Sequence, residues 1–279
     1  MRLNLANYMR RIGLSVQPKP DLVTLALVMA AHSRAIAFEN CDVVLNRRIS
    51  MARPDVESKL VDKDRGGYCW EQNTLLQMAL EEIGYSVTPL MCRVRWGKAN
   101  DSEEPNTTYT HFALKVDLDT GPYLADVGFS GVNSMAPVAL GSEEPQALPE
   151  GQFRVVPGTL PGLESFSELQ LLVKGDWRGL YAWQNVRAPV VDQECSNWFS
   201  CTYPSARFTS QFFACRIIGD KRHHILNNEY VVRSGHGVDK SLTTVTVESK
   251  EQLLGLLDGV FGIKLGPEDT DGIDRYLKK

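Results

Sequence analysis

The sequence of 279 residues lacks several patterns that would assign it to a large functional class. No two of its six cysteines form a C-x-x-C pair, so the usual zinc-site spacing is absent and no metal is expected. The net charge of −4 gives no broad basic surface, which argues against nucleic acid as a partner. The longest apolar run, residues 22–31, is too short to span a bilayer, so no membrane association is expected.

Three further absences narrow the interpretation. The N-terminus has no long apolar segment followed by a small-residue cleavage site, which favours a cytoplasmic protein with free thiols. Neither G-x-x-x-x-G-K nor G-x-G-x-x-G occurs, so the common glycine-rich loops for nucleotide phosphates are missing. No heptad pattern calls for assembly, and we expect a monomer or a weak homo-oligomer.

The order of the hydrophobic patterns predicts the fold class. Helical periodicity comes first, with helices predicted at residues 5–12, at 21–35, from Pro54 and from Cys69. Period-two alternation follows, with strands predicted at residues 86–94, 110–118 and 123–127. A last helix begins at the capping box Ser249-x-x-Gln252. Helices followed by strands favour an α+β protein over alternating βαβ units.

Cys69 stands out by its position, because it follows Gly66-Gly67 and begins an amphipathic helix. The glycines permit a sharp turn that brings backbone amides close to a ligand. Free N–H groups and a partial positive charge at the helix N-terminus stabilise a thiolate, which predicts a thiol pKa below the ordinary value of about 8.5. Cys69 is therefore a candidate nucleophile. The alternative is a buried cysteine that packs as a small hydrophobic residue.

A thiolate nucleophile usually needs a histidine that is held by a carboxylate or an amide. His111 lies on the side of its predicted strand that carries polar residues, and Asp126 lies on the returning strand of a predicted hairpin. Neighbouring strands are about 4.8 Å apart, so these side chains can meet. The alternatives are a histidine satisfied within its strand and a carboxylate that caps a turn.

The other four histidines are weaker candidates for the base. His32 is predicted at a helix end, where a cation is favourable. His223 and His224 follow two basic residues and are predicted in a solvated turn, and His236 is predicted in a glycine-rich loop. These placements leave His111 as the candidate that fits Cys69.

The residues around Cys69 resemble a known family. R-G-G-Y-C-W-E-Q-N is similar to the signature R-G-G-x-C-[FW]-E-x-N of arylamine N-acetyltransferases. The resemblance continues in order at Ala37-Phe38-Glu39-Asn40, Thr110-His111, Ala125-Asp126-Val127-Gly128-Phe129, Asn197-Trp198-Phe199 and Pro204-x-x-Arg207-Phe208. The sequence departs from the family pattern at Ala37, Cys41 and Ser130. The last departure affects the expected substrate contacts rather than the catalytic residues.

The resemblance implies a fold of three parts around a core like that of cysteine proteases. A helical bundle at residues 1–85 would carry the cysteine. A β-barrel at residues 86–190 would carry the histidine and the aspartate. An α/β lid with a C-terminal helix would follow at residues 191–279.

The resemblance also implies ping-pong transfer of an acetyl group from acetyl-CoA to the nitrogen of arylamines, arylhydrazines or N-hydroxyarylamines. In this scheme Cys69 carries the acetyl group, His111 moves protons and Asp126 orients His111. Acetyl-CoA is the co-substrate, a small aromatic amine or hydrazine is the partner, and no metal takes part.

Substrate contacts are expected from two further groups of residues. Phe38, Phe129 and Phe208 are candidate aromatic walls for the acceptor, with ordinary core packing as the alternative. The resemblance places Trp96, Gly97, Thr110 and Gly128 along the path of CoA. Arg65 and Glu39 are expected to form a structural ion pair that braces the turn before Cys69.

Other functions remain open from the sequence. An amide synthase could use the same scaffold with a larger acyl thioester as donor. A cysteine hydrolase would release free acid instead of an amide, and a binding protein would contain an inert Cys69. The sequence also leaves open the physiological acceptor and the choice among acetyl, propionyl and malonyl donors.

Overall fold

The computed structural model describes residues 2–97, 108–129, 131–160, 163–234, 241–266 and 272–277. Its helices are α1 (Leu5–Arg11), α2 (Leu22–Ala35), α3 (Cys41–Val44), α4 (Arg53–Glu57), α5 (Cys69–Ile83), α6 (Val190–Thr202), α7 (Arg207–Ser210) and α8 (Lys250–Leu256). Its strands are β1 (Phe38–Glu39), β2 (Ser86–Val94), β3 (Tyr109–Leu118), β4 (Gly121–Ala125), β5 (Val138–Ala139), β6 (Gln146–Leu148), β7 (Gly151–Leu160), β8 (Leu163–Val173), β9 (Asp176–Trp183), β10 (Phe213–Ile218), β11 (Lys221–Leu226), β12 (Glu229–Ser234) and β13 (Ser241–Thr246). Single π-helical turns follow α4 and α8.

Local capping explains where the helices begin and end. The Asp21 carboxylate accepts a hydrogen bond from the Thr24 N–H at 2.8 Å and starts α2. Ser249 accepts from the Gln252 N–H at 3.2 Å, which confirms the predicted start of α8. Gly84 ends α5 with a φ of 107°, a left-handed conformation that glycine adopts without strain. These ends depend on residues close in the chain, so the sequence predicts them.

The larger sheet has eight antiparallel strands in the order β5-β4-β3-β2-β9-β8-β7-β6. Its two ends approach each other where β5 meets β7, so the sheet nearly closes into a barrel. A buried cluster fills the barrel, including Leu90, Cys92, Ala113, Leu124 and Leu180. The predicted α+β fold with a helical bundle, a barrel and an α/β lid is thereby confirmed.

The prediction that one face of β3 is polar is wrong for the first half of the strand. His111 and Ala113 are buried inside the barrel, and only Lys115 and Asp117 beyond them approach solvent. The reason is that this face of β3 lines the barrel interior, where Phe129 and Tyr181 pack on His111, while α5 and α6 cover the other face. His111 is therefore a buried histidine with a partner.

The smaller sheet has five antiparallel strands in the order β1-β10-β11-β12-β13. Its edge strand β1 comes from the N-terminal third, where Phe38 pairs with Cys215. His223 and His224 lie within β11 rather than in a solvated turn, because β10 and β12 pair with both sides of that strand. His236 and Ser130 lie outside the described residues.

The predicted boundaries after residues 85 and 190 stay a prediction. They coincide with the gap between α5 and β2 and with the start of α6. The pairing of β1 with β10 nevertheless ties the first part to the third.

In the described part of the chain, no helix has the length and apolar character needed to cross a bilayer.

His32 lies in the last turn of α2, as the sequence predicted, but its surroundings do not favour a cation there. It is fully buried, accepts a hydrogen bond from the Tyr8 hydroxyl at 2.9 Å and donates to the Gln72 side-chain oxygen at 2.7 Å. Burial lowers the pKa of His32 to about 4, which the Gln72 hydrogen bond opposes and the Arg11 charge reinforces. The Gln72 amide in turn donates to the carbonyl oxygens of Ala37 and Gly67. A neutral His32 thus supports the turn before Cys69.

The free energy of unfolding is expected to fall as the pH drops from 6.5 to 4, the interval between the ordinary and the folded pKa of His32. The unfolded chain binds the proton first, so this contribution is complete above pH 6.5 and is lost as pH falls towards 4. The shift corresponds to roughly 3 kcal/mol. Urea unfolding of the wild type and of His32→Gln across this pH range measures the contribution of His32 to the free energy of unfolding.

The free energy of unfolding of His32→Gln should depend less steeply on pH than that of the wild type. His224, with a pKa lowered to about 3 by burial, keeps part of the slope in both proteins. His223→Gln is the comparison variant: burial lowers the pKa of that half-buried ring as well, and the Lys221 and Arg216 charges add to this, so the variant should lose its own share of the slope. An unchanged slope in His32→Gln would show that His32 accepts a proton in the folded protein without cost.

Candidate active site

The turn before α5 places Cys69 at the first position of the helix. A Cβ atom on Gly66 would lie 2.3 Å from the Ala37 carbonyl oxygen, so only glycine fits there. The Glu71 carboxylate accepts a hydrogen bond from the Tyr68 N–H at 3.2 Å and caps the helix from within. The backbone around Cys69 is therefore fixed on both sides.

Buried ion pairs brace this turn. Arg65 contacts the Glu39 carboxylate at 2.8 Å, as predicted, and the Glu39 side chain is fully buried. Lys59 contacts Asp42 at 2.6 Å and Glu71 at 2.7 Å. Removing one partner of such a pair leaves an uncompensated buried charge, so the cluster acts as a unit.

The first turns of α5 cover a free edge of β3. Pairing between β3 and β4 stops at Leu114, so the strand beyond it offers unpaired backbone groups. The Cys69 thiol contacts the Thr110 carbonyl oxygen at 3.7 Å, and the Asn73 amide donates to the Phe112 carbonyl oxygen. These contacts bring Cys69 beside the chain segment that contains His111.

Gly128 packs directly against Cys69. A Cβ atom on residue 128 would lie 2.7 Å from the Cys69 Cα and 2.7 Å from the Asn73 amide nitrogen. Both neighbours belong to α5, so the helix and the segment after β4 could not approach this closely with any side chain there. Gly128 thus sets the distance between Cys69 and the Asp126 segment, in addition to its predicted place near CoA.

The His111 ring is held by Asp126. Its Nε2 atom lies 2.8 Å from an Asp126 carboxylate oxygen, and the exposed fractions of the two residues are 2% and 5%. The register explains the contact, because Leu114 pairs with Ala125 and Asp126 follows directly on the inner side of the barrel. The structure therefore brings these two predicted residues together in a desolvated place.

The contacts of Asp126 favour its charged form. Its other carboxylate oxygen accepts hydrogen bonds from the Asn73 side chain and the Gly128 N–H, each at 2.7 Å. Burial raises the pKa of Asp126, but the His111 contact and these two hydrogen bonds outweigh burial and hold the pKa below 3.8. Asp126 can therefore stabilise a positive charge on His111.

Asn73 is the residue whose role the sequence did not reveal. It donates to Phe112 and Asp126 and accepts from the Val127 N–H at 3.0 Å. Asn73 lies one turn after Cys69 and connects α5 to β3 and to the segment that follows β4. The only signal in the sequence is its place at the end of the R-G-G-Y-C-W-E-Q-N segment.

The Cys69 thiol is not acidified by itself. Burial raises its pKa well above the ordinary value and the Asp126 charge adds to this, whereas the N–H groups of Trp70 and Phe112 act in the opposite direction. The expected lowering by the helix N-terminus is outweighed, since Cys69 is only 2% exposed. A thiolate here needs a positive charge nearby, and a protonated His111 can supply it.

Cys69 and His111 open into one cavity of about 680 Å³. Seven of its other lining residues are hydrophobic or aromatic: Phe38, Val94, Trp96, Phe129, Phe199, Phe208 and Phe213. Polar or small residues complete the described wall: Thr108, Thr110, Gly128, Ser200, Ser205, Ala206 and Arg207. Such a cavity suits a mostly apolar ligand with a few polar contacts.

The wall contains most of the residues predicted to contact substrates. Phe208 packs on Phe38 with ring centres 6.0 Å apart, and Phe129 packs on His111 at 5.0 Å. Trp96, Thr110 and Gly128 also line the cavity. Gly97 is an exposed residue outside the described wall.

Two features of the wall were not predicted. Phe213 and Arg207 belong to β10 and α7, and both line the cavity opposite the barrel.

The described residues contain no group of three His, Cys, Asp or Glu side chains that could hold a metal ion. The arrangement therefore offers a thiol, a carboxylate-bound imidazole and an apolar cavity, which suits acyl transfer through a covalent intermediate.

Comparisons with known proteins find similar chains over nearly the whole length of the sequence. Residues 21–270 match a family model described as N-acetyltransferase. An arylamine N-acetyltransferase of Mycolicibacterium smegmatis is 35% identical over 268 residues, which cover 95% of this chain and 94% of that protein. A solved structure of an M. smegmatis arylamine N-acetyltransferase has a TM-score of 0.90 and 31% identity, covering 99% of this chain and 100% of that one. A Mycobacterium marinum arylamine N-acetyltransferase in complex with CoA has a TM-score of 0.88 and 29% identity, covering 98% of both chains.

Proposed function

The chain belongs to the arylamine N-acetyltransferase family, and on this basis we propose that it transfers an acetyl group from acetyl-CoA to the nitrogen of aromatic amines. Arylhydrazines and N-hydroxyarylamines are included in the proposed acceptor class. The observation that carries the proposal is that Cys69 shares a cavity with His111, whose ring Asp126 holds at 2.8 Å. A covalent acetyl-Cys69 divides the reaction into two steps.

In the first step the Cys69 thiol gives its proton to the His111 nitrogen that does not contact Asp126. The sulfur attacks the acetyl carbonyl carbon of acetyl-CoA, the bond from that carbon to the CoA sulfur breaks, and CoA leaves with the proton from His111. Backbone N–H groups at the start of α5 stabilise the oxyanion that forms. One thioester replaces another, so little free energy is gained or lost.

Burial of the site favours this proton transfer over a lone thiolate. Desolvation opposes a single buried charge, and it raises the pKa of Cys69 accordingly. Transfer of the proton to His111 creates two opposite charges in the same cavity, and Asp126 already provides the negative partner of the imidazolium. The Cys69–His111–Asp126 set is thus proposed to act as one unit.

In the second step the amine nitrogen attacks the carbonyl carbon of acetyl-Cys69. His111 takes a proton from the nitrogen, the bond to the Cys69 sulfur breaks, and the thiol regains its proton. Phe38, Phe129 and Phe208 are proposed to hold the aromatic ring, while Trp96, Thr110 and Gly128 lie along the CoA path. Lid residues from α7 and β10 close the cavity and limit hydrolysis of the thioester by water.

The setting of the reaction follows from the same residues. Cys69 must remain a free thiol, so we propose a reducing cytoplasm. All proposed site residues come from a single chain, so a monomer suffices and a weak homo-oligomer is compatible. No resident metal is part of the proposal.

The decisive experiment separates acetyl transfer from the alternative functions. Incubation with acetyl-CoA and no acceptor should release one equivalent of CoA and add one acetyl group to Cys69, located by peptide mapping. Addition of an aromatic amine should then yield the acetylated amine. Longer acyl-CoA and acyl-carrier thioesters test the donor in parallel. Preferential use of a larger donor would favour an amide synthase, release of free acetate a hydrolase, and absence of any label a binding protein.

A further inference from the structure

The edge of β3 that faces β4 is only partly covered by that strand. Pro122 of β4 lies opposite Asp117 but has no N–H, and its C=O accepts a hydrogen bond from the far side of β4. The hydrogen-bonded positions of β3 towards β4 are therefore the even-numbered residues, and the last of these is Leu114. Phe112 and Thr110 direct their N–H and C=O groups to the same side, where no described strand pairs with them. Buried backbone groups need partners, so other groups must complete this edge.

The side chain of Asn73 takes the place of a strand at the first of these positions. Its amide nitrogen donates to the Phe112 carbonyl oxygen, and its oxygen accepts from the Val127 N–H at 3.0 Å. Val127 is the residue that would lie opposite Phe112 if the ladder continued beyond Leu114 and Ala125. The Asn73 side chain thus bridges the two chains as a backbone amide would, and it uses the C=O of Phe112 but not its N–H.

The Phe112 N–H faces the sulfur of Cys69. The N–H and C=O groups of one residue in an antiparallel strand point the same way, and the Phe112 C=O points to α5. The Cys69 thiol contacts the Thr110 carbonyl oxygen at 3.7 Å, which is the next even-numbered position on this edge. The sulfur therefore lies between the C=O of Thr110 and the N–H of Phe112. Burial raises the pKa of Cys69, and the Phe112 N–H opposes that rise.

We propose that the Phe112 N–H donates a hydrogen bond to the Cys69 sulfur once the thiol has lost its proton, an inference that rests on the proposed function. The protonated thiol donates to the Thr110 C=O. When the proton moves to His111, the sulfur becomes an acceptor and binds the Phe112 N–H instead. The free edge of β3 thus holds the sulfur in both protonation states. A hydrogen bond to a charged acceptor is stronger than one between neutral groups, so this contact favours the thiolate.

Replacement of Phe112 by its α-hydroxy analogue tests the proposal, because the resulting ester keeps the side chain and exchanges only the N–H for oxygen. Alkylation of Cys69 by iodoacetamide reports the thiolate without any acetyl-CoA. Its rate near neutral pH should fall about tenfold to hundredfold, and the apparent pKa of Cys69 should rise. Single-turnover acetylation should fall by a similar factor, whereas the dissociation constant of CoA should stay the same.

The α-hydroxy analogue of leucine at Leu114 is the matched control. It removes an N–H from the same edge of β3 at a position that β4 covers, so a ladder hydrogen bond is lost without a change at Cys69. Alkylation and acetylation should keep their wild-type rates in this variant. Equal losses in the two ester variants, or wild-type alkylation in the Phe112 variant, would overturn the proposal.

A measurement on the unmodified backbone decides the matter if the ester at Phe112 prevents folding. His111-Phe112 is the only His-Phe pair in the sequence, so ¹³C-carbonyl histidine with ¹⁵N-phenylalanine gives one correlated amide signal. Its proton shift should move downfield with the apparent pKa found by alkylation. This movement should be absent in Cys69→Ser, which keeps His111. A signal that titrates alike in both proteins would assign the change to the His111 ring and overturn the proposal.

The two levels of inference fail in different ways. Normal alkylation of Cys69 in a wild type that forms no acetyl-enzyme would contradict the proposed function. The contact between the Phe112 N–H and the sulfur would still be measured by the alkylation rates and by the amide signal.

Discussion

A Cys69→Ser variant is expected to form no acetyl-enzyme and to lose acetyl transfer by a factor of about 10⁴ or more. Serine keeps nearly the same shape in a site where Cys69 is 2% exposed, so the fold should be retained. A hydroxyl is a much weaker acid than a thiol, and burial would oppose its ionisation further. Proton transfer to His111, which the thiol permits, is then too unfavourable to support attack.

Intact mass after incubation with acetyl-CoA measures the first part, and steady-state turnover of an aromatic amine measures the second. Cys195→Ser is the matched control, because Cys195 is exposed and lines a different cavity. The Cys195→Ser variant should be acetylated by acetyl-CoA and should turn over the aromatic amine as the wild type does. An acetyl group on the protein in Cys69→Ser, or full turnover by it, would exclude Cys69 as the acetyl carrier.

An Asp126→Asn variant is expected to lose a factor of about 10³–10⁴ in the rate of acetylation. The carboxylate accepts a hydrogen bond from His111 at 2.8 Å and provides the negative charge that stabilises the protonated ring. An amide can keep one hydrogen bond with Gly128 or Asn73, but it carries no charge and can favour the wrong histidine tautomer. The loss should therefore appear in chemistry more than in substrate binding.

Single-turnover acetylation measured by CoA release tests this expectation across pH. Although burial raises the pKa of Asp126, the His111 contact and two hydrogen bonds hold that pKa below its ordinary value, so protonation of this carboxylate should not lower the wild-type rate near neutral pH. Asp117→Asn is the control on β3, the strand that contains His111, since Asp117 pairs with Lys115 at 3.1 Å near solvent. A wild-type rate in Asp126→Asn, with an unchanged melting temperature, would show that His111 works without its carboxylate.

The two substitutions test different parts of one arrangement. Cys69 is the group proposed to form the covalent bond, whereas Asp126 is proposed to act through His111. A double variant should therefore be no slower than Cys69→Ser alone, because residues that act as a unit have non-additive effects. An additive loss would instead indicate separate roles.

The sequence by itself determined the features that depend on neighbours in the chain. Gly67 before Cys69, the caps at Asp21 and Ser249, and Gly84 at the end of α5 all act within a few residues, so local chemistry fixes the helix ends. Period-two alternation predicted β2 and β3 for the same reason. The order of motifs also identified the family, which the comparisons confirm.

Tertiary structure decided the features that join distant segments. The sequence placed His111 and Asp126 on neighbouring strands, but only the register of β3 with β4 brings the two side chains to 2.8 Å. A shift of one residue would have turned one of them to the opposite face. Asn73 bridges three segments through hydrogen bonds that no spacing rule predicts.

Burial was likewise decided by packing rather than by local pattern. His32 stands at the end of α2, where a cation is favourable, yet the surrounding core desolvates it and keeps it neutral. The same cause raises the pKa of Cys69 against the effect of its helix N-terminus. The charge state of a side chain depends on how much water the rest of the fold removes from it. The sequence could therefore name Cys69 as the candidate nucleophile, but only the folded chain desolvates this thiol and so makes its proposed reactivity depend on His111.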